Sequence, residues 1–365
     1  MSEWKKTRLG DLYALPSRNG LTRPSAVRGS GYKMAAMGEI FADDFIGASD
    51  MERVQLNERE LNTMLLEEDD LLFARQSLIL SGAGKCAIVR GLTEPTTFES
   101  HLIRVRLNKA LANSLFYMYY FHSSCSPIKS IVQQGVQAGI RGSDLEGLLV
   151  DYPPRPIQDR IAGILSDYDS AIANCRKQIA LLEEAAMRLY REWFKDGKGE
   201  KKKLCDVCDI LYGKPHKDIP YGNIPIYGSA GIMRYGNKAK FAEESVLIPR
   251  KGTLDNVMYV DDPFWVVDTM FYTRFKISHM AKIAFYQLAK LKMSNMNTGT
   301  AVPSMTTETL YKLDLIVPPE ELRKRFDELV SKLFSAKKRC LLQIRTLTEA
   351  RDRLLPKLMK GEIAV

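Results

Sequence analysis

Apolar residues along this chain change period in an ordered way. From Ile161 the apolar or small positions run Leu165, Tyr168, Ile172, Cys175, Ile179, Leu182, Ala186, Leu189 and Trp193, with spacings that alternate four and three. That is a helix presenting one narrow stripe to a partner. A second stretch carries Phe326, Val330, Leu333, Cys340, Ile344, Leu347, Leu354 and Leu358 on the same register, interrupted by Lys337 and Arg351. A helix of about 35 residues is roughly 50 Å long. A stripe of that length needs a partner, and the other stretch is the obvious one. Ahead of each helix the period shortens. Leu71–Arg75, Cys86–Val89, Leu102–Arg106 and Leu148–Tyr152 read as strands, with an aromatic-rich helix over Leu111–His122. Ser245–Pro249, Val257–Val260, Met270–Phe275 and Leu313–Val317 repeat that order, with a helix over Met280–Met293.

The two halves are copies. The stretch Leu145-Glu-Gly-Leu148, Pro153-Pro154 and its helix returns as Leu310-Tyr-Lys-Leu313, Pro318-Pro319 and its helix, at one shift of 318 − 153 = 165. Under that shift Arg160 falls on Arg325, Cys175 on Cys340, Gln178-Ile179 on Gln343-Ile344 and Arg188-Leu189 on Arg353-Leu354. The segments before the helices share element order and little identity. The expected architecture is α+β: two small mixed α/β domains separated by two long helices packed as an antiparallel coiled coil, a pseudo-two-fold repeat. The divisions fall at 1–152, 153–197, 198–317 and 318–365. Lys195–Lys203, polar and punctuated by glycine, reads as a linker, and Gly361 as the stop after the second helix.

Polar turns recur at matching places. Ala74-Arg75-Gln76-Ser77 follows the first strong strand of the first half, and Pro249-Arg250-Lys251-Gly252-Thr253 follows its counterpart. Arg can read guanine bidentately in a major groove, and Gln can read adenine. A second polar cluster precedes each final strand: Gln133, Gln134 and Arg141 in the first half, Asn297, Thr298 and Thr300 in the second. Glycines there allow close approach to phosphate. Lys214, Lys217, Tyr227 and Arg234 mingle aromatic and basic character on further turns. A net charge of +9 among 365 residues favours a polyanionic partner.

Several chemistries are set aside. Ser81-Gly-Ala-Gly84-Lys85-Cys86 has Ile79 where a phosphate-binding loop needs its first glycine, and Cys86 where it needs Ser or Thr. It reads as a tight turn presenting Lys85. The four histidines show no metal spacing, and Cys205-Asp-Val-Cys208 lacks a second pair. No nucleophile elbow or S-adenosylmethionine fingerprint occurs, so a binding protein is expected rather than an enzyme. No run of about 18 apolar residues occurs and no signal peptide opens the chain, so a cytosolic protein is expected.

Two similar long helices with Pro-Pro starts alternate with dissimilar domains. Those domains open on Leu9-Gly-Asp-Leu12 and Leu204-Cys-Asp-Val207, and the helices end in Leu189–Phe194 and Arg353–Ile363. In this the chain resembles the specificity subunits of type I restriction-modification systems. The resemblance implies a subunit without catalysis of its own, in which each domain reads one half of a bipartite double-stranded DNA site and the helices set the spacer. It also implies docking of two modification subunits that carry S-adenosylmethionine, with restriction subunits joining for cleavage, in a bacterial or archaeal cytoplasm. The DNA contacts would come from Arg75, Gln76, Ser77, Lys85, Gln133, Gln134, Arg141, Lys214, Lys217, Tyr227, Arg234, Arg250, Lys251, Thr253, Asn297, Thr298 and Thr300. Packing and docking would fall to the helix stripes from Ile161 to Trp193 and from Phe326 to Leu354.

Overall fold

The computed structural model of the chain describes residues 4–134, 137–297, 303–363 and 365. These form two compact units, Met1–Asn174 with Gln343–Val365, and Cys175–Leu342. The long helices, Arg155–Trp193 and Glu320–Met359, each contribute one half to either unit. A unit is therefore a globular domain together with the helix halves that its own core absorbs.

In the first unit a five-stranded sheet runs in the order Tyr13–Asn19, Leu102–Leu107, Leu71–Ala74, Cys86–Val89 and Phe45–Ile46. In the second, a four-stranded sheet runs Cys208–Tyr212, Met270–Phe275, Ser245–Pro249 and Met258–Val260. The first four strands correspond one for one. Leu71–Ala74, Cys86–Val89 and Ser245–Pro249 are buried throughout, which explains why they read as continuous apolar runs. The helix Ser114–His122 covers one face of the first sheet, with Phe116, Tyr117 and Tyr120 inside. Its counterpart Ala281–Ala289 is shorter than the expected 280–293, and a separate 3-10 turn follows over Met293–Met296.

Each unit also closes on a two-stranded ribbon, in which the expected last strand pairs with an earlier one that the apolar period does not reveal. Lys5–Arg8 pairs antiparallel with Leu149–Tyr152, and Glu200–Lys203 with Asp314–Val317. The expected linker over Lys195–Lys203 is thus corrected: its second half is a strand. A lysine-rich strand whose outer face is solvated has no apolar alternation to betray it. Lys201 and Lys203 hold it by ion pairs to Asp314 at 3.0 and 2.8 Å.

Within each unit the helix halves pack antiparallel. In the second, Gln178 faces Cys340 and Glu183 faces Lys337, so positions rise on one helix as they fall on the other. In the first, Asp169 faces Arg351, while Ile161 and Leu165 share a core with Leu358. Lys337 and Arg351, the interruptions of the apolar stripe, are thereby explained as ion-paired positions, at 2.6 and 2.5 Å. The stripe is not uniform. Ile172 and Cys175 are buried, whereas Tyr168, Ile179, Leu182, Leu189, Leu333, Ile344, Leu347 and Leu354 are half-buried. Its ends leave the coiled-coil pattern and enter domain cores. Trp193 packs on Phe326, whose ring is fully buried, and Tyr190, off the stripe, stacks on Tyr286 at 4.9 Å. The second long helix ends on Gly361 at φ +64°, a left-handed cap.

Candidate nucleic-acid interface

The two polar clusters of each half, distant in sequence, meet. In the first unit Gln76–Ser77 pairs antiparallel with Ala138–Gly139, and Gly139 exchanges both backbone hydrogen bonds with Gln133 at 2.8 and 3.0 Å. In the second, Lys251 bridges Ser304, and Ser304 donates its backbone N–H to Asn297 Oδ1 at 2.8 Å. Thr298 and Thr300 lie outside the described residues.

The correspondence reaches individual atoms around the two strand-end arginines. The Arg75 carbonyl accepts from Ile140 N–H and the Arg250 carbonyl from Met305 N–H, both at 2.9 Å. Arg75 N–H donates to His101 O and Arg250 N–H to Thr269 O, both at 2.8 Å. One guanidinium nitrogen of Arg75 donates to Ser100 O at 3.3 Å, and one of Arg250 to Asp268 O at 3.1 Å. Neither guanidinium has a carboxylate within ion-pair distance among the described residues. Arg250 lies over the Tyr212 ring at 5.4 Å, which holds its plane. Each arginine is therefore half-buried, anchored by one edge, and not neutralised by an acid. A planar cation held in this way can present its remaining N–H groups to a base edge or a phosphate.

Neighbouring side chains are variably committed. Gln76 Oε1 meets His101 Nδ1 at 3.0 Å. Gln134, Arg141, Lys251 and Thr253 are exposed. Gln133 reaches Asp144 at 3.4 Å. The turn before Cys86 forms as expected, with Gly84 at φ +78°, but Lys85 is half-buried rather than projecting. It pairs with Asp44 at 3.4 Å and lies over Phe41, in a cleft also lined by Lys129 and Gln134. Lys214 and Lys217 are exposed on a loop beside Arg234. Arg234 itself braces that loop, donating to His216 Nδ1 at 3.1 Å and to Ile219 O at 3.0 Å. Tyr227 packs against Phe264, and burial pushes its hydroxyl up to about 12. These last two contacts give Arg234 and Tyr227 structural work whatever else they touch.

Burial also pushes the Cys208 thiol up to about 12, so it is a poor source of thiolate at neutral pH. No helix among the described residues is long and apolar enough to cross a membrane. One feature of the interface gave no signal in the periodicity. Leu78, Ile79 and Leu80, directly after Gln76–Ser77, are exposed, and a three-residue apolar run at a strand end is the only trace of this in the sequence.

The family model for the type I restriction modification DNA specificity domain matches the chain twice, over residues 1–184 and 197–338. The chain is similar to the type I restriction enzyme MjaIX specificity subunit of Methanocaldococcus jannaschii, 23% identical, covering 86% of this chain and 83% of that protein. It is likewise similar to the putative type I restriction enzyme MjaX specificity subunit of the same organism, at 24% identity over 100% of this chain and 94% of that protein. In fold it resembles the type I restriction-modification S subunit from M. genitalium, with a TM-score of 0.65 and 16% identity, over 98% of this chain and 96% of that one.

Proposed function

This chain belongs to the type I restriction modification DNA specificity family, and we propose on that premise that it directs a DNA-modifying complex by reading a bipartite site, one half through each unit. The chain contributes no catalysis. Two modification subunits, which would bind S-adenosylmethionine, dock along the long helices, restriction subunits join for cleavage, and the complex works in the cytoplasm. The helices would fix the spacer between the halves.

One observation carries this reading. The same backbone frame around a strand-end arginine occurs in both units, while the side chains around it differ. A frame kept constant around changing side chains suits two readers of different bases. The test is to produce the chain with the modification subunits of its own system and map the methylated adenines. Arg75→Ala should relax one half of the site and Arg250→Ala the other, each by roughly 1–3 kcal/mol of discrimination. If both substitutions altered the same half, the assignment of one half per unit would be wrong. A scaffold without a DNA role is the competing reading. DNA affinity that stayed constant with salt would favour it.

A further inference from the structure

We propose that each unit carries an aliphatic tip beside its strand-end arginine and that this tip contacts the C5-methyl groups of thymines in the major groove. The proposal rests on the DNA-reading function given above. In the first unit Leu78, Ile79 and Leu80 are 86%, 64% and 55% exposed, directly after Gln76–Ser77. They are held out by a built turn. Ser77 Oγ accepts from Ile79 N–H at 3.2 Å, and the Ile79 carbonyl accepts from Gly82 N–H at 3.0 Å. Gly82 fits so closely that a Cβ there would stand 2.3 Å from Ser77 Oγ. An ordered turn that keeps three large aliphatic side chains in water forgoes the burial that ordinarily stabilises them.

The second unit reaches the same result by a different route. Its loop after Arg250 has no such tip, because Leu254 is buried. A hairpin of Ile224–Gly228 and Gly231–Gly236 supplies it instead, with Ile232 and Met233 48% and 58% exposed. The turn of this hairpin sits against the Arg250 loop. Ser229 Oγ is 2.9 Å from where a Cβ on Gly252 would stand, and Asn256 donates to the Ser229 carbonyl at 2.8 Å. The two tips come from non-equivalent segments, so duplication does not account for both. Their shared feature is attachment to the arginine's loop: the first tip follows Arg75 directly in the chain, and the second lies on the hairpin whose turn residue Ser229 meets Gly252 and Asn256. The one apolar group that base edges present in the major groove is the thymine methyl.

The test uses the full chain assembled with its modification subunits on the mapped target duplex. Thymines of the half-site read by the first unit are replaced one at a time by deoxyuridine, and affinity is measured by fluorescence anisotropy across a salt series. The unaltered complex should bind roughly fourfold more weakly where a contacted methyl is lost, the scale of one buried methylene-sized group. Leu78→Ser/Ile79→Ser should weaken binding and abolish that sensitivity, with the slope of log affinity against log salt unchanged, because no phosphate contact is removed. Sequence-specific binding indifferent to every deoxyuridine would overturn the proposal while leaving the DNA reading intact. Loss of modification subunits from the double variant, showing a protein-docking tip, would overturn it as well. Absence of any sequence preference in the unaltered complex would instead defeat the DNA reading itself.

Discussion

The polar corner of the first unit and that of the second share a frame and almost nothing else. Ile140 and Met305 close the same backbone bond onto Arg75 and Arg250, yet one corner is rimmed by Gln76, His101 and Gln133 and the other by Lys251, Asn297 and Ser304. The opposite ends of the same strands differ too. There the first unit has the bidentate Arg106–Asp70 pair, whereas the second buries a neutral Ser245–Thr273 pair. Backbone hydrogen bonds tolerate any side chain that can adopt the local φ and ψ, so duplication preserves the frame while the rim is free to change. Recognition chemistry can then vary in one unit without unfolding the other.

The largest expected effect tests whether the units are energetically separate. Phe326 is fully buried among Tyr190, Trp193 and Phe194, so Phe326→Ala should cost about 3–5 kcal/mol. Hydrogen exchange should report lost protection within Cys175–Leu342 alone. Equal loss in Met1–Asn174 would show that the two cores unfold as one.

The two domains also grip their long helices by different ion pairs. In the first unit Asp169 receives Arg351 and the Tyr119 hydroxyl. In the second, buried Lys282 meets Asp327 at 2.6 Å and Glu244 at 3.3 Å, with His279 on the other Asp327 oxygen. Burial alone would raise the Asp327 carboxyl, but the hydrogen bonds from Lys282 and His279 outweigh it and hold the group below its ordinary value. A depressed folded pKa stabilises above the unfolded value and loses that contribution as pH falls through the folded one. Thermal melts from about pH 5 downward should therefore show an acid-sensitive loss in the second unit. Lys282→Ala should cost about 3 kcal/mol at neutral pH, since it strands a partly buried carboxylate, and should flatten that acid dependence. An unchanged acid profile would remove Asp327 from the account.

The smallest effect separates folding from reading at equivalent short helices. Thr306 caps Thr307–Tyr311, its hydroxyl accepting from Thr309 N–H at 3.2 Å. Arg141 occupies the matching position before Gly142–Glu146 and offers no side-chain cap. Thr306→Ala should cost about 1 kcal/mol of stability. Arg141→Ala should stay within about 0.5 kcal/mol in the same denaturant titration, while weakening DNA binding. A stability loss as large as that of Thr306→Ala would show Arg141 to be structural.

Much of this was legible from local pattern. The strands Leu71–Ala74 and Ser245–Pro249 lie where their apolar runs put them, because strands buried on both faces read as near-continuous hydrophobic segments. The strands Lys5–Arg8 and Glu200–Lys203 were illegible, since solvated edge strands held by cross-strand bonds have no apolar signature. Among the candidate site residues, recurrence singled out Arg75 and Arg250 together. It did not show that Arg234 braces its own loop or that Lys85 turns inward to Asp44, because both depend on residues brought near only by folding.

The sequence by itself determined the periods, the duplication and the contrast between alike helices and unlike domains. Those are local quantities, set by which face of an element must leave water. Tertiary structure alone decided that Arg75 meets Ile140 and Arg250 meets Met305, that the helix ends serve domain cores, and that the Ser229 turn meets the loop after Arg250. Such meetings join residues tens of positions apart. The packing of whole sheets and helices selects them, and no short window of sequence contains that choice.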